Sequence, residues 1–259
     1  MERSFVLEAN DLSIPCVLTE PDFGSARRCI IGVHGFCGSK NSPILVDLAE
    51  EMGIFGYAAI RFDLPAHGDS PVTDWGLSLG KCVNTVLAVA QWVQEQYPQT
   101  EVCIFATGFG AYVTLVALDE LKQMLDQMKL VLQTPDLHMA QSLLHMADLT
   151  EEQFHKVGRV VIGKTAKRAV EVPYSFYEDL RENLVYYNYR IPMLLLHGEL
   201  DEVVPLSYLE PFRRFNTRSR LVVIPNADHQ FRGEGQWDMV IDLTRDWFEC
   251  EQVLLCDCT

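Results

Sequence analysis

Apolar residues fall in two rhythms along this chain. Six short, almost unbroken apolar runs cover residues 29–33, 57–62, 102–106, 130–132, 192–196 and 220–224. Continuous runs of that length read as strands of a parallel sheet covered on both faces. Between them the apolar positions shift to a spacing of three and four, as in Leu79, Val83, Val86, Leu87, Ala90 and Val93, closed by Pro98. That spacing predicts amphipathic helices. A second helix is expected over about 43–52, stopped by Gly53 and Gly56. A third follows residue 108 through Tyr112, Leu115, Val116, Leu118 and Leu121, and a last one turns Trp237, Val240, Ile241, Thr244, Trp247 and Phe248 inward. Residues 5–9 and 12–18 flank the turn pair Asn10-Asp11 and predict an N-terminal hairpin. Strands alternating with helices imply an α/β fold with a mostly parallel central sheet and helices on both faces.

One region breaks the rhythm. Residues 136–190 are richer in His, Met, Tyr and charge, and are too long for a plain loop. They read as a short inserted cap. Residues 1–135 and 191–259 then form the core. Inside the cap, residues 158–163 and 168–173 are expected to pair as a small hairpin.

The chemistry gathers where strands end. The run 102–106 stops in Thr107-Gly108-Phe109-Gly110 and restarts as a buried helix, a strand, a very tight turn and a helix. His34-Gly35-Phe36-Cys37-Gly38 ends the first central run. Residues 63–70, Asp-Leu-Pro-Ala-His-Gly-Asp-Ser, end the second. His197-Gly198-Glu199-Leu200-Asp201 and, further on, Asp228-His229-Gln230-Phe231 end the last two.

These four stretches, the late pair counted as one and all taken in chain order, resemble the α/β-hydrolase superfamily over essentially the whole chain. The likeness is greatest to the serine aminopeptidase-like group with its small feruloyl (cinnamoyl) esterases. The segment 106–110, Ala-Thr-Gly-Phe-Gly, lies over the nucleophile elbow G-x-S-x-G of that family, with Gly108 where the serine belongs. The resemblance implies that the backbone N–H groups of Phe36 and Phe109 face a developing oxyanion. It implies that His229 is the general base and that Asp201 holds its tautomer, in the family's order of elbow, acid, histidine. Asp136, after another strand, is an alternative position for the acid, and His67 shapes a loop. Moving the register to make Thr107 the nucleophile puts Phe105 and Phe109 where the turn needs glycine, so that shift is rejected. Ala66 stands where the family has glycine.

Gly108 cannot form an acyl-enzyme. Loss of a triad nucleophile costs about 10⁶ in kcat, while the oxyanion donors and binding retain roughly 10³–10⁴ over water. The leading expectation is therefore a nucleophile-less homologue of a carboxylic-ester or amide hydrolase, weak or inactive as a serine hydrolase, that binds a small acyl or aromatic ester-like ligand. The alternatives are hydrolysis by His229-activated water or by Cys37, an engineered variant of an active esterase, and a protein-interaction module on the same scaffold. By composition, His138, His145, Tyr174 and Tyr177 are candidate pocket residues in the cap.

Bulk properties narrow the partners. The chain has 259 residues and a net charge of −15, which disfavours nucleic acid and anionic membrane surfaces. No apolar stretch reaches the roughly 18 residues of a membrane span, and no signal-peptide core follows Met1. Several of the eight cysteines sit singly in apolar patterns, and Cys256-Asp257-Cys258 lacks a second pair at zinc-like spacing. A cytoplasmic protein without metal or organic cofactor is expected, its oligomeric state open.

Overall fold

The computed structural model describes residues 1–98, 100–125, 127–163 and 169–250. Ten strands are present among them: β1 (Glu2–Ala9), β2 (Leu12–Thr19), β3 (Arg28–Val33), β4 (Tyr57–Phe62), β5 (Glu101–Thr107), β6 (Met128–Gln133), β7 (Arg159–Ile162), β8 (Val170–Pro173), β9 (Met193–Gly198) and β10 (Ser219–Ile224). Eight of them build one sheet in the order β1-β2-β4-β3-β5-β6-β9-β10. β2 pairs antiparallel with both neighbours, and all other pairings are parallel. The hairpin expected around Asn10-Asp11 forms, both residues taking positive φ (48° and 61°).

Alternation along each strand divides the interior in two. On β5, Ile104 and Ala106 join one apolar cluster while Cys103 and Phe105 join the other. Successive side chains of a strand point to opposite faces, so a sheet buried on both sides reads as one continuous apolar run. One face is covered by α1 (Pro43–Ile54) and the C-terminal α9 (Gln236–Glu249), through Leu45, Leu48, Met52, Val240 and Phe248. The other is covered by α2 (Leu79–Gln96), α3 (Phe109–Val116), α4 (Leu118–Met124) and α8 (Leu209–Phe215).

The single helix expected after residue 108 is two. Ala117, with ψ flattened to −3°, separates α3 from α4. The apolar spacing ran on because both helices bury a face against the same cluster, so periodicity alone hid the break.

The segment between β6 and β9 holds α5 (Met139–Ala147), α6 (Glu151–Val157), the pair β7 and β8, and α7 (Tyr174–Glu182). β7 and β8 pair antiparallel from Arg159 opposite Pro173 to Ile162 opposite Val170; Arg168, in the expected second arm, lies outside the described residues. Phe154, Val172, Phe176 and Leu180 belong to the same apolar cluster as α2 and α3, so this segment packs into the main interior. Among the described residues no helix is long and apolar enough to cross a membrane. Cys16, Cys29, Cys82 and Cys103 are buried free thiols; Cys256 and Cys258 fall outside the described residues.

Because β3, β5, β6, β9 and β10 run the same way, their C-terminal ends open at one edge. In open α/β sheets that edge is where ligands sit. Each motif singled out in the sequence lies there.

Candidate active site

The elbow is formed at the expected residue. Gly108 ends β5 with φ +49° and ψ −113°, a conformation that L side chains rarely adopt. Its N–H donates to Gln133 O (2.9 Å) on β6, and its carbonyl accepts from Tyr112 N (3.2 Å) inside α3. A Cβ built on Gly108 meets only one atom within 4 Å, Gly35 Cα at 4.0 Å. The space of the missing side chain is open. Gly110 is different, because its Cβ would lie 2.5 Å from His34 O and 2.7 Å from Val33 O. The start of α3 rests backbone to backbone on the end of β3, and only glycine fits there. Thr107 Oγ1 packs toward Gly35, 3.3 Å from where a Cβ on Gly35 would stand.

Opposite the elbow, a hydrogen-bonded turn follows β3. His34 is fully buried, and burial pushes its pKa down to about 4. The neutral ring accepts Leu64 N–H at Nε2 (3.0 Å) and donates from Nδ1 to Gly35 O (2.8 Å). Gly38 N closes the turn on the same Gly35 carbonyl (3.0 Å), with Cys37 at φ +58°. Lys40 ties the turn to the loop after β4. Its backbone N–H donates to Asp63 Oδ1 (2.7 Å), and its ammonium pairs with Asp63 Oδ2 (2.6 Å) and with Asp69. Neither Phe36 N–H nor Phe109 N–H has an acceptor among the described residues. The two rings meet edge to face, 5.3 Å apart. His67 stacks into the same group and donates from Nδ1 to Pro65 O (2.8 Å). Ala66 takes φ +64°, which costs an L residue about 1–2 kcal/mol.

Asp201 and His229 meet at the far side of the edge. The Asp201 side chain is fully buried, and His229 Nδ1 donates to its Oδ2 at 2.8 Å. Oδ1 accepts from Val203 N (2.9 Å) and Val204 N (2.8 Å). Burial by itself would raise this carboxyl, but the His229 bond and charge and the two backbone donors hold it below the ordinary carboxylate value. His197, kept neutral by burial, donates to Val204 O (2.9 Å) and lies 3.7 Å from Asp201 Oδ2. The aspartate is thus fixed from three directions, and the imidazole is 29% exposed.

Asp136 is the second carboxyl of this edge. Its N–H reaches Gly108 O (3.4 Å), and it lies in the electrostatic field of both His229 and Asp201. Burial raises it, against hydrogen bonds from Ser142 and the His138 N–H (3.2 Å). His138 stands beside it, its ring 4.0 Å from that of Tyr208 and its Nε2 2.9 Å from the Tyr186 hydroxyl. Of the four residues between β6 and β9 chosen by composition, His138 is the one brought to this neighbourhood. Tyr174 and Tyr177 hydrogen-bond Glu151, which also pairs with Arg181, and both rings pack on Phe154. His145 is exposed on α5. The aromatic of α7 that does reach the elbow is Phe176, fully buried against Phe36 (6.4 Å) and Phe109 (5.9 Å). Cys37 is partly buried, and burial pushes its thiol up to about 11. It stays protonated near neutral pH, and the pairing with His229 that a thiolate nucleophile requires is not made. Among the described residues no group of three His, Cys, Asp or Glu side chains is placed to hold a metal.

No family model and no curated relative matches this sequence. Solved structures do match. Est1E from Butyrivibrio proteoclasticus, with ferulic acid bound, superposes with a TM-score of 0.83 at 18% identity, over 94% of this chain and 97% of that one. A putative hydrolase from Agrobacterium vitis S4 gives 0.80 at 19% identity, over 96% and 99%. Mouse alpha/beta hydrolase domain-containing protein 10 gives 0.76 at 18% identity, over 95% and 98%. These likenesses fix the fold. It is the α/β-hydrolase fold.

Proposed function

We propose that this α/β-hydrolase-fold chain derives from a carboxylic-ester or amide hydrolase and now acts as a cytoplasmic binder of small acyl or aromatic ligands. In this reading Asp201, His229 and the N–H groups of Phe36 and Phe109 are the hydrolase's acid, base and oxyanion donors. Gly108 occupies the nucleophile position, and residues 136–190 form the cap over it. One observation carries the reading: the His229–Asp201 pair is intact beside an elbow that keeps its backbone shape and its side-chain space. Holding a fully desolvated carboxylate against an imidazole is costly without its donors, and here every donor is supplied.

The open space at Gly108 also favours a second, slower reading, in which His229 activates a water placed there. The gain over uncatalysed hydrolysis is then about 10³–10⁴, some 10⁶ below a serine enzyme.

The test is hydrolysis of a panel of acyl and cinnamoyl esters by this protein and by Gly108→Ser, side by side. The expected result is a fast, inhibitor-sensitive esterase in the serine variant and, in the parent, at most slow turnover abolished by His229→Ala. A folded serine variant with no gain over the parent on any ester overturns the assignment of the site.

A further inference from the structure

Carboxylates outnumber cations in this chain by 36 to 21, and most arginines are paired. Among the described residues only Arg3, Arg190, Arg213, Arg218 and Arg220 lack a carboxylate partner. All of these but Arg3 come from two stretches, 183–198 and 211–227, that contain no Asp or Glu. The fold joins the two stretches at the start of β9 and β10, the end of the sheet opposite the candidate site. Asn216, buried just past α8, clamps them: its Oδ1 accepts from Tyr189 N (2.9 Å) and its Nδ2 donates to Tyr187 O (2.8 Å). Arg218 Nη1 adds a bond to Arg190 O (3.1 Å). The buried ring of Tyr189 backs that of Tyr187, which stays 63% exposed, and Phe215 at the end of α8 is 53% exposed. One corner of the molecule therefore displays unpaired guanidinium groups beside two bare aromatic rings. Arg190 is held there against its own backbone. Its φ is +57°, where glycine is cheaper than any L residue. A strained residue whose side chain makes no hydrogen bond or ion pair among the described residues points to a partner outside the fold.

We propose that this corner, formed by Tyr187, Arg190, Arg213, Phe215, Arg218 and Arg220, docks an acidic segment of another protein. That segment carries an aromatic or aliphatic side chain between its carboxylates. Every cation of the two stretches is an arginine, although the chain has lysines elsewhere. Guanidinium forks grip carboxylates through two parallel hydrogen bonds, which an ammonium cannot do. Interfaces between proteins are likewise rich in Arg, Tyr and Phe and poor in Lys. A bilayer or a nucleic acid is an extended polyanion. It would run past this corner onto a surface more negative than the chain's net −15, and be repelled there. A short acidic segment ends where the arginines end. The corner lies at the far end of the sheet from Gly108 and His229, so the inference stands apart from the ligand-binding reading.

The experiment is fluorescence anisotropy of labelled short peptides in which Glu or Asp residues flank one Phe, Tyr or Leu, titrated with the full chain. Members of this panel are expected to bind, with affinity falling several-fold between about 0.05 M and 0.5 M salt. Arg213→Glu combined with Arg220→Glu is expected to weaken binding about tenfold or more. Both side chains are exposed and make no hydrogen bond among the described residues, so the unfolding midpoint stays in place. Arg213→Lys with Arg220→Lys keeps the charge and loses the forks, and weakens binding by about threefold or more. Arg190→Gly separates docking from folding, because relief of the backbone raises the unfolding midpoint while the affinity falls. No binding by any peptide of the panel, or binding that survives the charge reversal, overturns the proposal. Phosphatidylserine vesicles or a single-stranded oligonucleotide held more tightly than every peptide, and released by the same reversal, would overturn it in favour of a membrane or a nucleic acid.

Discussion

Two carboxyls stand at neighbouring strand ends of one sheet edge, and their surroundings treat them in opposite ways. Asp201, past β9, receives two backbone N–H groups and the His229 ring, and is held ionised below the ordinary carboxylate value. Asp136, past β6, has one backbone N–H and the Ser142 hydroxyl, and burial carries it upward. Each acts in the field of the same imidazole. Only Asp201 touches it. Position after a strand therefore does not decide which acid serves the histidine; the number of donors converging on the carboxylate does.

The sharpest way to break this comparison is kinetic. In a Gly108→Ser background that has regained esterase activity, Asp201→Asn is expected to cost about 10⁴ in kcat, because the amide no longer fixes the imidazole tautomer. Asp136→Asn is expected to change kcat by less than tenfold. Equal losses from the two substitutions would show that both carboxyls serve His229 and would erase the distinction.

How much of this edge was legible in the sequence follows the same division. Gly108, Asp201 and His229 could be singled out because each lies within a few residues of the end of an apolar run, where a buried strand must end and the chain turns along the edge. The eight-stranded sheet was legible for the same reason. The resemblance pointed to Asp201 with Asp136 as the alternative, but the apolar pattern alone does not separate two carboxyls that both follow strands, because the donors from Val203, Val204 and Ser142 arrive only when the loops fold. The segment between β6 and β9 was harder still. α7 carries aromatics at Tyr174, Phe176 and Tyr177, and the phase of one short helix decides which of them meets the elbow. The two tyrosines turn to the half-exposed Glu151 carboxylate, which suits a phenol, and Phe176 goes inward, where the aromatic group of Phe36 and Phe109 suits a plain ring. Contacts such as His138 with Tyr186 and Tyr208 join segments 48 and 70 residues apart, beyond any periodic pattern.

Stability against pH gives a second comparison, with opposite signs. A carboxyl whose folded pKa is depressed stabilises the fold above its unfolded value, and that contribution is lost as pH falls through the folded pKa. Asp201→Asn is therefore expected to lower stability at pH 7 by about 1–3 kcal/mol, the order of one badly satisfied buried group, with the deficit shrinking below about pH 4. A raised carboxyl does the reverse. It weakens the fold while ionised, and the penalty fades as pH drops toward the unfolded value. Asp136→Asn is expected to raise the pH 7 stability by a smaller amount, with the gain vanishing near pH 4. Denaturant unfolding at pH 7 and pH 4 reads both, and a loss of stability at pH 7 from Asp136→Asn would reverse the reading of its environment.

Ser142→Ala makes the smallest change and isolates the cause. Ser142 is buried on α5, and its hydroxyl is the side-chain donor to Asp136. Removing it costs about 0.5–1.5 kcal/mol as one hydrogen bond, and leaves the His138 N–H as the donor to the carboxylate. Burial is unchanged while the ionised form loses half of its hydrogen bonds, so the Asp136 titration is expected to move further upward. Asp201 draws its donors from Val203, Val204 and His229, none of which touches Ser142, and its titration is expected to stay in place. Carboxyl carbon resonances followed through acid titration distinguish the two groups. An upward move of Asp136 alone establishes that each carboxyl is tuned by its own loop. An equal move of both would mean that the two titrate as one unit through His229.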